Sequence, residues 1–286
     1  MNRTGRDDAL RGGLNRASPV GAFDSGVGGL SVLRHIRSAL PHETLLYCAD
    51  SSHAPYGAKS AEQIRARALA LTGFLVEQGA KAIVVACNTA TAAAVTTLRA
   101  HFQIPIIGME PAVKPAAAAT KSGVVGVLAT VGTLSSAQFA ALLEHYGKEV
   151  EVVTQACHGL VECVERGQLD APATQDLVRR YVAPLLARGA DTIVLGCTHY
   201  PFLRELIQQE AGSGVAVIDT GIAVARQLQR RLAELELLNG VGGGERFWTS
   251  GAVAEAEPVV LRLWGEPVAV ARLPEETAGQ TSPARP

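Results

Sequence analysis

The chain contains two copies of one short pattern: an apolar run, a cysteine directly after it, and then the start of a helix. The two runs are residues 83–86 before Cys87 and residues 193–196 before Cys197. Short, continuously apolar runs of this kind are typical of fully buried strands. Open parallel sheets bind their ligands at the carboxyl ends of such strands. The duplication therefore predicts an α/β fold in which each cysteine lies at a ligand-binding edge.

Strands and helices alternate along the rest of the chain. A first strand at 20–23 runs through a Gly-rich turn at 24–29 into helical spacing, and a second strand follows at 44–48. Alternation at this pace predicts βαβ units and parallel sheets. The glycines of the first turn fit neither common phosphate-binding motif, so they are interpreted as relief of steric crowding in a tight turn. The helices predicted for the segments discussed below are 60–78, 134–146, 157–166 and 200–211.

Composition excludes several classes of function. The chain has 286 residues, of which 48% are hydrophobic and 19% charged, with a formal net charge of −1. Such a charge balance predicts neither a nucleic-acid partner nor binding to an anionic membrane. No apolar run reaches the length of a membrane span. The polar segments 1–18 and 273–286 are expected to be disordered tails.

The cysteines are odd in number and widely spaced, and no apolar leader precedes the first strand. This pattern predicts reduced thiols in a cytoplasmic protein. A single cysteine beside an apolar run is usually inert core. Cys87 and Cys197 differ because both follow their strands and precede hydrogen-bonding residues at predicted helix starts. A helix N-terminus lowers the pKa of a thiol, so both are expected to be partly exposed and reactive.

Three chemistries could use two such thiols. Redox cycling is weakly supported because no Cys-x-x-Cys motif is present. A metal site is not expected, since no further ligands stand near Cys87 at zinc-binding spacing. Acid/base chemistry on a carbon acid explains the duplication, because inversion of a stereocentre needs one group on each face. No lysine follows a predicted strand beside a phosphate cradle, so no pyridoxal cofactor is expected.

Other polar residues are predicted at the same sheet edges. Asp24 follows the first strand and could orient one thiol, whereas His199 could orient the other. Tyr56 and Gly57 could equally contact a ligand or form a surface turn. Glu165, near the end of a predicted helix, could reach the same edge. The residues expected to hold an amino acid's ammonium and carboxylate groups are Ser25, Asn88, Thr89, Thr130, Thr133 and Thr198.

Four motifs in order make the chain recognisable. They are Phe23-Asp24-Ser25-Gly26-Val27-Gly28-Gly29-Leu30, Pro55-Tyr56-Gly57 with Lys59-Ser60, Ala86-Cys87-Asn88-Thr89-Ala90, and Gly196-Cys197-Thr198-His199-Tyr200-Pro201. From about Val20 to about Leu273 the chain resembles the cofactor-independent aspartate/glutamate racemase family. The four motifs together are highly specific, whereas any one alone would not be.

The resemblance implies an activity and a site. The family's catalytic thiols match Cys87 and Cys197. The family's assisting acid and histidine match Asp24 and His199, and a helix glutamate of the family matches Glu165. It implies racemisation of glutamate without a cofactor, supply of D-glutamate for peptidoglycan in a bacterial cytoplasm, and a homodimer. The implied substrate-contacting pairs are Asp24-Ser25, Tyr56-Gly57, Asn88-Thr89 and Thr198-His199.

The family also implies an architecture of two pseudo-symmetric, three-layer α/β domains with mainly parallel sheets and the active site in the cleft between them. Together with the Gly-Met-Glu-Pro break at 108–111, it places the first domain at 19–110 plus 220–272 and the second at 111–219.

One stretch departs from the family pattern. Members often have Cys-Pro-x-Phe-Val-Pro where this chain has Cys-His-Gly-Leu-Val-Glu at 157–162, which leaves the path of the next helix and the role of Glu165 open. Cys157 and His158 are interpreted as structural. The rival functions are an aspartate or hydantoin racemase, a non-catalytic binding relative, and a redox-sensing dithiol. The histidine after Cys197-Thr198 favours glutamate.

Overall fold

The computed structural model describes residues 15–146, 150–275 and 277. Its first sheet has six parallel strands in the order β10-β9-β2-β1-β3-β4. Most of the predicted tails, residues 1–14 and 278–286, lie outside the described residues. The strands of this sheet are β1 (Val20–Asp24), β2 (Thr44–Ala49), β3 (Ala82–Val85), β4 (Ile106–Ile107), β9 (Gly244–Thr249) and β10 (Val270–Arg272).

The second sheet has four parallel strands in the order β6-β5-β7-β8. The predicted α/β class with parallel sheets is therefore confirmed. No helix in the described part of the chain combines the length and apolar character that crossing a membrane requires. The strands of this sheet are β5 (Val124–Ala129), β6 (Glu151–Ala156), β7 (Thr192–Leu195) and β8 (Ala216–Ile218).

Helices connect the strands as the alternation predicted. They are α1 (Leu30–Ala39), α2 (Ala61–Glu77), α3 (Asn88–His101), α4 (Val113–Ala119), α5 (Val131–Leu134), α6 (Ala137–Tyr146), α7 (Leu160–Glu165), α8 (Pro172–Ala187), α9 (Arg204–Ala211), α10 (Gly221–Glu234) and α11 (Val253–Trp264). Below, "first half" means the six-stranded sheet with α1–α3, α10 and α11, and "second half" means the four-stranded sheet with α4–α9.

Local sequence signals set several helix boundaries. Ser60 caps α2, because its side chain accepts from the amide of Gln63 while the Gln63 side chain accepts from the amide of Ser60. This reciprocal capping satisfies two amides that a helix start leaves unpaired. Gly79 follows the helix with φ of +85°, a conformation that favours glycine. The sequence-based placement of α2 is accurate for these reasons.

Three predicted helices differ from the observed ones. The helix predicted at 134–146 begins only at Ala137, because the Ser136 side chain accepts from the amide of Phe139 there, and Leu134 instead ends the short helix α5. The helix predicted at 157–166 begins only at Leu160, because Gly159 has φ of +84°. The one predicted at 200–211 begins as a 3₁₀ turn over Tyr200–Leu203.

Both predicted tails overlap ordered structure. Leu273 is buried in the first half, and its amide donates to the Thr249 carbonyl. At the other end, the Arg16 carbonyl accepts from the buried Lys81 ammonium. The tail predictions were wrong at these positions because polar or Pro-rich composition does not reveal a single buried anchor.

Candidate active site

A small cavity lies at the carboxyl ends of strands from both sheets. Cys87 follows β3 of the first half, Cys197 follows β7 of the second half, and both line this cavity. Two of its lining residues, Pro55 and Val161, were not predicted. The predicted residues that line it are Ser25, Tyr56, Gly57, Cys87, Asn88, Thr89, Thr130, Thr133, Cys197, Thr198 and His199.

Cys87 occupies the N-cap position of α3. Its sulfur lies 3.9 Å from Ser25 Oγ, and that hydroxyl lies 3.1 Å from Asp24 Oδ1. The thiol is 5% exposed, and burial, reinforced by the Asp24 carboxylate, raises its pKa well above the usual value. The expectation of a partly exposed thiol with a lowered pKa was therefore wrong for Cys87. Burial outweighs the helix N-terminus here.

Cys197 is also buried, and it has a different partner. Its sulfur lies 3.7 Å from Nδ1 of His199. The other ring nitrogen of His199, Nε2, lies 2.6 Å from Glu165 Oε1. On the second-half side of the cavity, the Glu165 carboxylate thus contacts the His199 imidazole, which in turn contacts the Cys197 thiol.

Opposing influences act on the pKa of His199. Burial lowers it, but hydrogen bonds with Cys197 and Glu165 outweigh burial, so the pKa is raised well above the usual value. Asp24 adds to this effect, because its Oδ2 lies 4.0 Å from His199 Nδ1. The surroundings of the ring therefore favour the imidazolium form.

Asp24 lies beneath the cavity rather than on its wall. Its oxygens accept from the amides of Ser25 and Gly29 at 2.6 and 2.7 Å, and its Oδ2 accepts from Thr198 Oγ1 at 3.1 Å. Burial raises the pKa of this carboxyl group, although His199 acts in the opposite direction. The structure thus ties Asp24 to both halves, whereas a direct substrate contact was predicted. Glu165 is likewise not part of the cavity lining.

Hydroxyl groups from both halves also meet in the cavity lining. Thr89 Oγ1 lies 3.0 Å from Thr130 Oγ1 and 3.1 Å from Thr133 Oγ1. Asn88, beside Thr89, is 4% exposed, and neither the oxygen nor the nitrogen of its side-chain amide has a hydrogen-bond partner among the described residues. Buried amide groups are rarely left unpaired, so the Asn88 side chain is suited to a polar ligand.

The Tyr56-Gly57 segment is anchored by a residue that the sequence did not single out. Asp50 follows β2 and accepts from the Tyr56 hydroxyl at 2.6 Å and from Arg67 Nη2 at 2.8 Å. Although burial acts in the opposite direction, hydrogen bonds from His53 and Arg67 hold the pKa of Asp50 well below its usual range. The Tyr56 hydroxyl thus points to Asp50, while the residue itself lines the cavity.

The position of Asp50 along the chain offered a signal, since this residue comes directly after β2 and Asp24 is the last residue of β1. Arg67 offered none, because a single arginine in an amphipathic helix is ordinarily solvated. A larger cavity also lies between the halves, but no cysteine lines it. Within the described residues no group of three or more His, Cys, Asp or Glu could hold a metal ion, and the five cysteines are free thiols.

Comparison with known proteins identifies the class. The model of the Asp/Glu/hydantoin racemase family matches residues 28–228. The chain belongs to this family, so the predicted family and the predicted racemase class are confirmed.

The individual relatives that are similar to this chain over most of its length include proteins named glutamate racemase. A glutamate racemase from Ectopseudomonas mendocina is 61% identical over 251 residues, which are 87% of this chain and 95% of that protein. A crystal structure of a glutamate racemase isoform from Bacillus anthracis has a TM-score of 0.83 at 34% identity and covers 91% of this chain and 98% of that one. A crystal structure of the Escherichia coli glutamate racemase in complex with L-glutamate and the activator UDP-MurNAc-Ala has a TM-score of 0.79 at 33% identity. It covers 90% of this chain and 98% of that one.

Proposed function

We propose that the protein interconverts L- and D-glutamate by proton transfer at the α-carbon between two thiol bases. The observation that carries the proposal is that Cys87 and Cys197, from different sheets, line one small cavity. A substrate held between them could lose its α-proton to the thiolate on one face, and the planar carbanion so formed could gain a proton from the thiol on the other face. The high identity to proteins named glutamate racemase supports glutamate as the substrate.

The two thiols have unlike partners, which supports unlike resting states. Cys87 is the protonated thiol, because burial and the Asp24 carboxylate disfavour its ionised form. We assign the role of the thiolate to Cys197, because His199 Nδ1 lies 3.7 Å from its sulfur and can hold its proton. Glu165 Oε1 accepts a hydrogen bond from His199 Nε2–H, which leaves Nδ1 to exchange a proton with the Cys197 sulfur.

The reaction then proceeds in two balanced transfers. The Cys197 thiolate removes the α-proton of one enantiomer, and the electron pair left on carbon delocalises into the α-carboxylate. The Cys87 thiol delivers its proton to the opposite face. Cys197 ends as the thiol and Cys87 as the thiolate, which is the form that acts on the other enantiomer.

Polar groups around the cavity are suited to the two carboxylates and the ammonium of glutamate. The first amides of α3 and the unpaired Asn88 amide offer donors to a carboxylate. The hydroxyls of Ser25, Thr89 and Thr198 provide donors or acceptors at other points of the wall. Asp24 acts through Ser25 and Thr198, to which it is hydrogen-bonded. The full proposed contact set is Ser25, Tyr56, Gly57, Asn88, Thr89, Thr130, Thr133, Thr198 and His199.

Family resemblance supports the wider setting of the reaction. We assign catalysis without a cofactor, supply of D-glutamate for peptidoglycan, action in the cytoplasm, and a homodimer. We also assign two domains, 19–110 plus 220–272 and 111–219, with the active site between them.

The first experiment incubates purified protein with L-glutamate or, separately, L-aspartate, without added cofactor. Circular dichroism follows loss of optical activity, and solvent deuterium uptake at the α-carbon is measured in parallel. Loss of signal with glutamate alone, together with deuterium uptake, is the expected result. Turnover of aspartate alone would assign a sister racemase, and the absence of turnover with both would contradict the proposal.

A further inference from the structure

The turn between β1 and α1 lies directly against the Glu165–His199 pair. The amide of Val27 in this turn donates to Glu165 Oε1 at 2.7 Å, the same oxygen that lies 2.6 Å from His199 Nε2. The turn belongs to the first half, whereas Glu165 and His199 belong to the second. The contact between the pair and the turn therefore crosses the boundary between the halves.

Two glycines of the turn leave the space that the pair occupies. A Cβ atom on Gly26 would lie 1.9 Å from Glu165 Oε1, and one on Gly28 would lie 2.2 Å from His199 Nδ1. Neither separation is compatible with van der Waals contact, so the pair would have to move. Neither glycine is among the positive-φ residues, so their backbone conformations alone do not require glycine.

We propose that Gly26 and Gly28 are positioning residues for the reaction, since the missing side chains let the Glu165–His199 pair lie across the turn and hold His199 beside the Cys197 sulfur. This inference rests on the proposed function and adds two residues to it. The sequence interpretation, that these glycines relieve crowding in a tight turn, needs refinement. The crowding comes from side chains of the other half of the molecule.

Gly26→Ala tests the proposal most directly. The added methyl meets the end of a flexible side chain, so Glu165 can swing away while the backbone stays in place. We expect a thermal midpoint close to that of the unsubstituted protein and a loss of about 10²-fold in kcat/KM, the lower range for a general acid–base group. Gly73→Ala is the matched control, because a Cβ there, within α2, would meet nothing within 4 Å.

A second readout does not depend on turnover. Each thiol is alkylated with iodoacetamide, and peptide mass spectrometry gives the separate rates for Cys197 and Cys87. Because the thiolate is the reactive form, Gly26→Ala should slow alkylation of Cys197 about tenfold or more and leave Cys87 unchanged. Equal slowing of both would indicate a general structural effect and overturn the assignment.

A double-mutant cycle distinguishes an effect of Gly26→Ala that acts through Glu165 from one that acts through the backbone. In a Glu165→Ala background the carboxylate is gone, so Gly26→Ala should cause no additional loss of activity, of Cys197 alkylation or of thermal midpoint. The same additional loss in both backgrounds would overturn the proposal, even if Gly26→Ala alone fails to fold. If the unsubstituted protein does not racemise glutamate, the proposed function fails; if it does and Gly26→Ala changes neither readout, only this inference fails.

Discussion

At the scale of single residues, the positions of the reactive groups follow from the sequence, but their ionisation does not. Cys87 and Cys197 each end a buried strand, and that pattern alone brings them to sheet edges. The raised pKa of Cys87 depends on burial and on Asp24, which only the folded arrangement reveals. The helix start after Cys87 and the 3₁₀ turn after Cys197 are local features, whereas the depth of burial is set by both halves together.

Replacement of either thiol by a hydroxyl should stop racemisation. Serine is far less acidic than cysteine, so Cys87→Ser and Cys197→Ser should each lower kcat by about 10³-fold or more while the fold is retained. Circular dichroism of glutamate measures the loss, and far-ultraviolet spectra check the fold. Cys163→Ser, a buried cysteine outside the cavity lining, is the matched control and should remain active. Full activity in either cavity variant would rule out two thiol bases.

The raised pKa of His199 predicts a pH-dependent contribution to stability. A group whose pKa is raised by folding stabilises fully below its unfolded pKa, about 6.5, and loses that effect as pH rises through the folded value. Glu165→Gln removes one cause of the rise. Unfolding in urea should therefore show that this variant is destabilised by on the order of 1 kcal/mol more at pH 6 than at pH 9.

The control for the pH experiment is Glu266→Gln, which removes a charge from an exposed position. Its stability difference from the unsubstituted protein should not vary between pH 6 and pH 9. A pH-independent difference for Glu165→Gln would contradict the assigned role of the carboxylate.

At the scale of elements, boundaries with a local chemical cause were predictable, and those with a tertiary cause were not. The capping box at Ser60 and the left-handed Gly79 fix α2 from neighbouring residues alone. The break at Ser136 also has a local cap, but an apolar pattern that continues across it conceals the break. The support of the Tyr56 loop escaped prediction because Asp50 and Arg67 are far apart along the chain and meet only in the fold.

The Asp50–Arg67 pair should be a principal support of the loop that carries Tyr56. Both side chains are almost fully buried, so Asp50→Asn leaves a buried guanidinium poorly compensated and should cost about 3 kcal/mol of unfolding free energy. A pKa lowered by folding stabilises above the unfolded value near 3.9, so the whole loss is present at pH 7. The variant should also raise KM for glutamate, because Tyr56 lines the cavity.

Urea unfolding at pH 7 measures the cost of Asp50→Asn. Glu210→Gln is the control: it removes the carboxylate of an exposed ion pair with Arg179 and should cost less than about 1 kcal/mol. Similar costs for the two substitutions would contradict a supporting role for the buried pair.

At the scale of the whole molecule, the alternation of strands and helices predicted parallel sheets and the family resemblance implied two domains, but neither indicated that the two sheets share a core. One hydrophobic cluster contains Leu33 and Val84 of the first half together with Leu128 and Leu195 of the second. Packing between halves has no local signature, since each buried run would look the same in an independent domain. The hydrogen bonds from Thr198 to Asp24 and from Ser31 to the Thr198 carbonyl add to the same contact.

The shared core predicts that the halves unfold together. Both tryptophans, Trp248 in β9 and Trp264 in α11, lie in the first half, so their fluorescence reports on that half alone. Leu128→Ala, in β5 of the second half, removes a buried side chain from the shared cluster and should cost about 2–5 kcal/mol. Tryptophan fluorescence should shift to lower urea by the same amount as far-ultraviolet circular dichroism. A circular dichroism transition that splits while the fluorescence midpoint stays in place would show that the halves unfold independently.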